Sequence, residues 1–256
     1  DHRDLHSFPT RRSSDLKGVN KAGPGLQYLF IDAEKTPTRF VDDLPDNGLK
    51  PSDLLAHSYA AIYFKYELNT LVGKNRKAEG EFAGSTSFPT KGMRMKTTAS
   101  YFSGLNQNTE DFFKLSSDWI TYLSFSQRPR VVYALRIGGE KLFGNYAFHE
   151  AAKLGNKDNL RGYRETRFYG DASLYMNIEV RVRMKQFQTY LMNGTIGVLF
   201  FNDTGRVWLK GEDSKRWHNG TGIGFWFSPF EMATLNVSYA ISREDQLLNF
   251  SVNYPF

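Results

Sequence analysis

The sequence predicts an all-β protein, an antiparallel β-barrel that crosses a membrane with its strands. Three observations carry this. Polar and apolar residues alternate through runs of ten or more residues, so each run has two opposite faces. Aromatic residues make up 15% of a chain that is only 40% hydrophobic and 23% charged, which suits two-faced strands. No run approaches the about 18 apolar residues that a membrane-crossing helix needs, so a helical membrane protein is excluded.

Residues 1–16, Asp1 to Leu16, carry neither a strand nor a helix period and no signal-peptide pattern. Their string reads as a translated sequencing adapter, so native sequence is expected from Lys17 onward, with an upstream periplasmic or enzymatic domain missing. Residues 26–31 form a short candidate strand. In residues 59–68, Ala60, Ile62, Phe64, Tyr66 and Leu68 oppose Tyr59, Tyr63, Lys65 and Glu67. Met93, Met95, Ala99 and Tyr101 oppose Arg94, Lys96, Thr98 and Ser100, and residues 113–125 follow. Val131, Tyr133, Leu135 and Ile137 alternate with Arg130 and Arg136. Residues 173–185 are the clearest case: Leu174, Met176, Ile178, Val180, Val182 and Met184 face one way, while Ser173, Tyr175, Asn177, Glu179, Arg181 and Arg183 face the other. Residues 195–208 continue the series, and Gly220, Gly222 and Gly224 share one face of the next strand. Ala233, Leu235, Val237, Tyr239 and Ile241 oppose Thr234, Asn236, Ser238 and Ser242. In the last strand, residues 246–256, Leu248, Phe250, Val252, Tyr254 and Phe256 share a side.

A soluble sandwich or lipocalin-like barrel would also alternate. Length favours the membrane: about nine or ten strands, most of roughly 10–13 residues, exceed the usual ~5–6 of soluble sheets. Strands of about 9–11 residues or more, apolar outward and polar inward, mark the outer-membrane type of barrel, whose interfacial girdles account for the many Tyr and Phe. Asn193-Gly194 and Ser228-Pro229 read as short turns, whereas residues 143–171 and 210–219 are long and polar. Short turns belong on the periplasmic side and long loops outside.

The chemistry of catalysis is not visible. The chain has no cysteine, which excludes a disulfide scaffold and thiolate chemistry. His149-Glu150 begins a zinc-protease pattern, but position 153 is Lys153. Gly220, Gly222 and Gly224 fail the dinucleotide fingerprint because Phe225 stands where a further glycine is needed. No cofactor or metal site is read. The net charge of +6 is spread through strands and loops rather than gathered into a stripe, which argues against nucleic acid.

Four segments together resemble a known family. Residues 160–163 read Leu160-Arg161-Gly162-Tyr163, inside the long 143–171 connection. The next strand carries Asn177-Ile178-Glu179, and the one after it Phe201, Asp203, Gly205, Val207 and Trp208. The chain ends with Phe250, Tyr254 and Phe256 in register. In that order and spacing they resemble the C-terminal barrel of the BamA/TamA-like outer-membrane proteins, the bacterial surface antigen family. The resemblance also covers Phe88-Pro89-Thr90-Lys91-Gly92 as a turn before a strand.

The resemblance implies an incomplete barrel, about 9–10 strands of roughly sixteen, in line with the even counts of closed bacterial barrels. It implies that the Arg161 loop folds into the lumen and pairs with Glu179 and Asp203, although these two carboxylates would also serve as an acid/base pair. Gly220, Gly222 and Gly224 are then expected to clear space for that loop. Phe250, Tyr254 and Phe256 are expected to form the signal read by the barrel assembly machinery. The implied function is assistance in inserting or translocating proteins at the outer membrane of a Gram-negative-type bacterium, with no enzyme in this chain. Its partners would be outer-membrane lipid, lipopolysaccharide and unfolded outer-membrane clients. The alternatives are a barrel anchor or export module for an upstream enzyme, such as a metallophosphatase or lipase-like domain, and a passive pore. A charge at Val180 on the lipid face is expected to cost about 2–4 kcal/mol, and loss of Arg181 on the other face is expected to be milder.

Overall fold

The structure is a computed structural model. It describes residues 19–31, 56–73, 89–107, 109–126, 129–156, 158–190, 192–211, 215–230 and 233–252. Residues 1–16, Phe88, Tyr254 and Phe256 lie outside these. Among the described residues thirteen strands form: β1 Val19–Ile31, β2 His57–Asn69, β3 Val72–Gly73, β4 Pro89–Gly104, β5 Phe112–Leu123, β6 Val131–Gly144, β7 Ala152–Leu154, β8 Phe168–Gly170, β9 Ala172–Gln188, β10 Asn193–Trp208, β11 His218–Pro229, β12 Leu235–Ser242 and β13 Gln246–Val252.

Ten of them pair in succession as β1-β2-β4-β5-β6-β9-β10-β11-β12-β13, with β3 adding to β4, and every pairing is antiparallel. β1 and β13 do not pair with each other among the described residues, so the sheet is open. Eight of the ten strands run 12 to 17 residues, while β12 and β13 have 8 and 7. Twelve residues at about 3.3 Å each reach roughly 40 Å, enough to cross a ~30 Å hydrocarbon layer at a barrel-like tilt. Among the described residues no helix is long and apolar enough to make that crossing.

Alternation sorts the side chains between the two faces. Along β9, Ser173, Tyr175, Asn177, Glu179 and Arg181 are buried, whereas Leu174, Met176 and Ile178 are exposed. The outward face continues through Ile62, Phe64, Trp119, Tyr133, Phe200, Ile223, Phe225, Val237, Tyr239, Leu248 and Phe250, all exposed. A soluble protein rarely exposes so large an apolar surface, and lipid is the environment in which it is favourable.

Three local expectations shift. Asn193-Gly194 is not the turn but the start of β10, with Asn193 opposite Gln188. The connection before it is closed by the Thr189 N–H donating to the Met192 carbonyl at 2.8 Å. Ser228-Pro229 likewise ends β11, and the Ser228 hydroxyl reaches over the turn to the Ala233 carbonyl at 2.8 Å. Residues 89–92 are already strand, because β3 extends β2's side of the sheet and pairs Val72 with Lys91 and Gly73 with Pro89. In each case pairing with a neighbour extended the strand into a local turn signal.

Candidate functional site

The connection between β6 and β9 folds back against the inner face of the sheet. It opens with a 3-10 turn, Phe148–Glu150, and then forms a two-stranded hairpin in which β7 pairs with β8. Its hydrophobic side chains drive the fold-back: Leu154, Leu160 and Tyr163 are buried and pack with Tyr175 of β9, with Phe168 and Val207 alongside.

Arg161 is the centre of the arrangement. Its Nε and Nη2 donate to the two oxygens of Asp203 at 2.7 and 2.8 Å, and its Nη1 donates to Glu179 at 2.7 Å. Its backbone N–H also donates to Asp203 at 3.0 Å. The guanidinium lies 3.6 Å from the centroid of the Phe201 ring. Glu179 and Asp203 are 0% exposed and Arg161 2%. A planar fork satisfies two carboxylates at once, which an ammonium cannot. Desolvation of all three charges is costly and is offset only because each is paired.

The backbone permits this approach at two glycines. Gly162 has φ of 92°, a left-handed conformation that side chains disfavour, and it lets the chain turn past Ile241 and Ser242. A Cβ at Gly220 would overlap the Arg161 carbonyl. Gly220 makes room for the loop, whereas a Cβ at Gly222 would meet the Tyr239 carbonyl and the Phe201 ring, and one at Gly224 would meet Ser238, the Val237 carbonyl and Leu199, all on the wall itself.

Phe201, Asp203, Gly205 and Val207 share the inner face of β10, while Trp208 stands on the other and contacts Trp217 edge-on. Phe250 is exposed on the outer face of β13.

Arg181 joins the cluster. It is fully buried, its Nε donates to Glu179 at 2.5 Å, and it lies over the Tyr122 ring of β5. Glu179 is thus shared by two arginines. Sequence reasoning also missed the polar contacts flanking the motif. The loop's Arg164 and Arg167 donate to Asp245 and Glu244 in the β12–β13 turn at 2.9 and 2.7 Å. Alternation placed Arg181 on the correct face, but only strand register reveals which side chains meet.

At the loop's margins the chemistry is simpler. Burial, and then the neighbouring Asp171 carboxylate, push the Tyr146 hydroxyl above its ordinary pKa. The Gln246 backbone N–H and Arg164 hold the Asp245 carboxyl below the usual carboxylate range.

A long-stranded antiparallel wall with an apolar outer surface and a loop pinned inside by a buried arginine defines an outer-membrane barrel with an internally docked loop. The Omp85 superfamily domain matches residues 83–255, and the chain belongs to that superfamily. Among solved structures it is similar to the crystal structure of BamA from Haemophilus ducreyi lacking POTRA domains 1–3, with a TM-score of 0.62. The identity is 16%, and the match covers 91% of this chain but 51% of that one. The likeness is one of fold, and the chain spans about half the length of that protein. No curated protein matches the sequence. The family is one of outer-membrane barrels associated with protein insertion and translocation.

Proposed function

We propose that the chain is the C-terminal part of an outer-membrane barrel that assists insertion or translocation of other proteins, with the Arg161 loop as an internal brace. The observation that carries this is the buried Arg161–Glu179–Asp203 cluster joining the loop to β9 and β10. A loop pinned to β9 and β10 by buried charges narrows an open channel but braces the wall, which suits a barrel that handles other proteins better than a passive pore. The partners are outer-membrane lipid and lipopolysaccharide, the barrel assembly machinery and unfolded outer-membrane clients. Phe250, with Tyr254 and Phe256, would serve as the strand signal for delivery to that machinery.

The test is reconstitution of the protein as expressed from its native gene into phosphatidylethanolamine/phosphatidylglycerol vesicles. A urea-unfolded outer-membrane barrel is added as client. The expected outcome is client insertion, read by protease protection, faster than in protein-free vesicles and slowed by Arg161→Ala. Insertion at the protein-free rate overturns the proposal. The sequence of the native gene separates it from an enzyme anchor: accompanying periplasmic repeats support assembly, and an accompanying hydrolase domain supports the anchor.

A further inference from the structure

The polar face of β9 meets the loop in chain order. Glu179 takes Arg161. Two positions earlier, Asn177 Nδ2 donates to the carbonyl of Asn159 at 2.8 Å. One strand over, Arg136 of β6 donates from Nη1 to the carbonyl of Asp158 at 2.5 Å.

Arg136 is built for that contact. Its Nε donates to both oxygens of Asp118 on β5, at 3.1 and 2.8 Å, and its Nη2 also pairs with Asp118. This fork fixes the guanidinium and leaves Nη1 to reach the loop. Tyr175 closes the arrangement, with its ring centroid 5.0 Å from the guanidinium carbon and its hydroxyl donating to Asp118 at 3.3 Å. Asp118, Gly138 and Tyr175 lie in one row across β5, β6 and β9. A Cβ at Gly138 would overlap the Tyr175 ring, so only glycine there lets the tyrosine cross β6 to Asp118.

We propose that Asp118, Arg136 and Tyr175 form a second receptor for the loop, and that Arg136 is a positioning residue for Arg161. Together with Asn177, this receptor binds two successive main-chain carbonyls, at 158 and 159, instead of side chains. A plain ion pair between Arg136 and Asp118 would not require an oriented third donor against the loop backbone. Fixing these carbonyls leaves one residue, Leu160, between the anchored backbone and Arg161, so the remaining search for Glu179 and Asp203 is short and its closure entropy small. The inference extends the brace role proposed above, but its test does not involve client insertion.

The test is hydrogen exchange by mass spectrometry on the full chain, folded in detergent micelles, with variants Arg136→Ala, Arg136→Lys and Tyr175→Phe. The Leu160 and Arg161 amides, which donate to Asn156 and Asp203, are expected to exchange about tenfold faster in Arg136→Ala. Amides within β9 and β10 should keep their protection. Lysine, which keeps the charge but loses the fork, is expected to give an intermediate rate. Tyr175→Phe removes only the hydroxyl, and an increase of about threefold is expected there; it decides the matter if Arg136→Ala does not fold. Unchanged exchange at residues 158–161 overturns the proposal, as does equal acceleration throughout the sheet, which would make Arg136 a general stabiliser. A barrel that inserts no client leaves this result standing, and an unchanged loop leaves the insertion proposal resting on Arg161 alone.

Discussion

The same loop is held by two walls that work by different physics. On the β9–β10 side the contact is ionic: Arg161, Arg181, Glu179 and Asp203 are all buried and each is paired. On the β2–β6 side, beside the polar Arg136 contact, a second patch is apolar. Tyr59, Ala61, Phe102, Phe112 and Leu142 form a buried cluster into which Ala152 and Tyr146 of the loop pack, with Phe102 and Phe112 stacked at 4.5 Å. Apolar packing is non-directional, so many shapes of similar volume serve. A carboxylate–guanidinium cluster requires particular atoms at particular distances. One wall supplies cohesion, and the other sets register.

The largest expected effect follows from breaking the ionic wall. Arg161→Ala leaves two desolvated carboxylates with one arginine fewer and should lower stability by about 3–5 kcal/mol, read from urea unfolding followed by tryptophan fluorescence. A loss within experimental error would place the cluster in water and dissolve the contrast.

Neighbouring residues on opposite faces of β9 come next. Val180→Lys should cost about 2–4 kcal/mol in lipid vesicles if it sits near the midplane, and less in detergent. Arg181→Ala should cost about 2–3 kcal/mol in both media, because Glu179 loses a charged hydrogen bond inside the protein. An Arg181 effect that tracked the lipid would reverse the assignment of faces.

Conservative substitutions sharpen the comparison further. Arg161→Lys should still cost about 2 kcal/mol, since an ammonium cannot satisfy Asp203 and Glu179 together. Phe112→Leu in the apolar wall should cost about 1 kcal/mol. Equal costs in the same unfolding assay would remove the distinction between the walls.

The smallest effect is at the exposed clamp between the loop and the β12–β13 turn. Asp245 has its pKa depressed in the folded chain, so its contribution is present above the ordinary carboxylate pKa. It is lost as pH falls through the lower folded value. Exchange at residues 164–167 should therefore rise on acidification below the usual carboxylate range, and also in high salt. No response to either would show that the clamp does not hold the loop.

Much of the wall was legible because a strand has a period of two. Leu174 to Met184 against Ser173 to Arg183 needs no knowledge of neighbours to be split into two faces, and long strands make the split unambiguous. Strand ends were less legible. Asn193-Gly194 has turn chemistry, yet pairing with Gln188 and Phe187 draws it into β10. The site was legible only as a motif: Arg161, Glu179 and Asp203 could be named, but not the second arginine on Glu179, nor Asp118 and Arg136, which look like ordinary inner-face charges.

By itself, the sequence determined which residues face lipid and which face inward, since alternation is a property of a single strand. It also supplied the Leu160-Arg161-Gly162-Tyr163 segment. Only the tertiary structure decided who meets whom. Register across β5, β6, β9 and β10 brings Asp118 to Arg136, Arg136 to the Asp158 carbonyl, and Arg161 to Glu179 and Asp203. Those partners lie 18 or 42 residues apart along the chain, except that Arg136 and the Asp158 carbonyl are separated by 22. A local period carries no information over such distances, and pairing energies between whole strands set them.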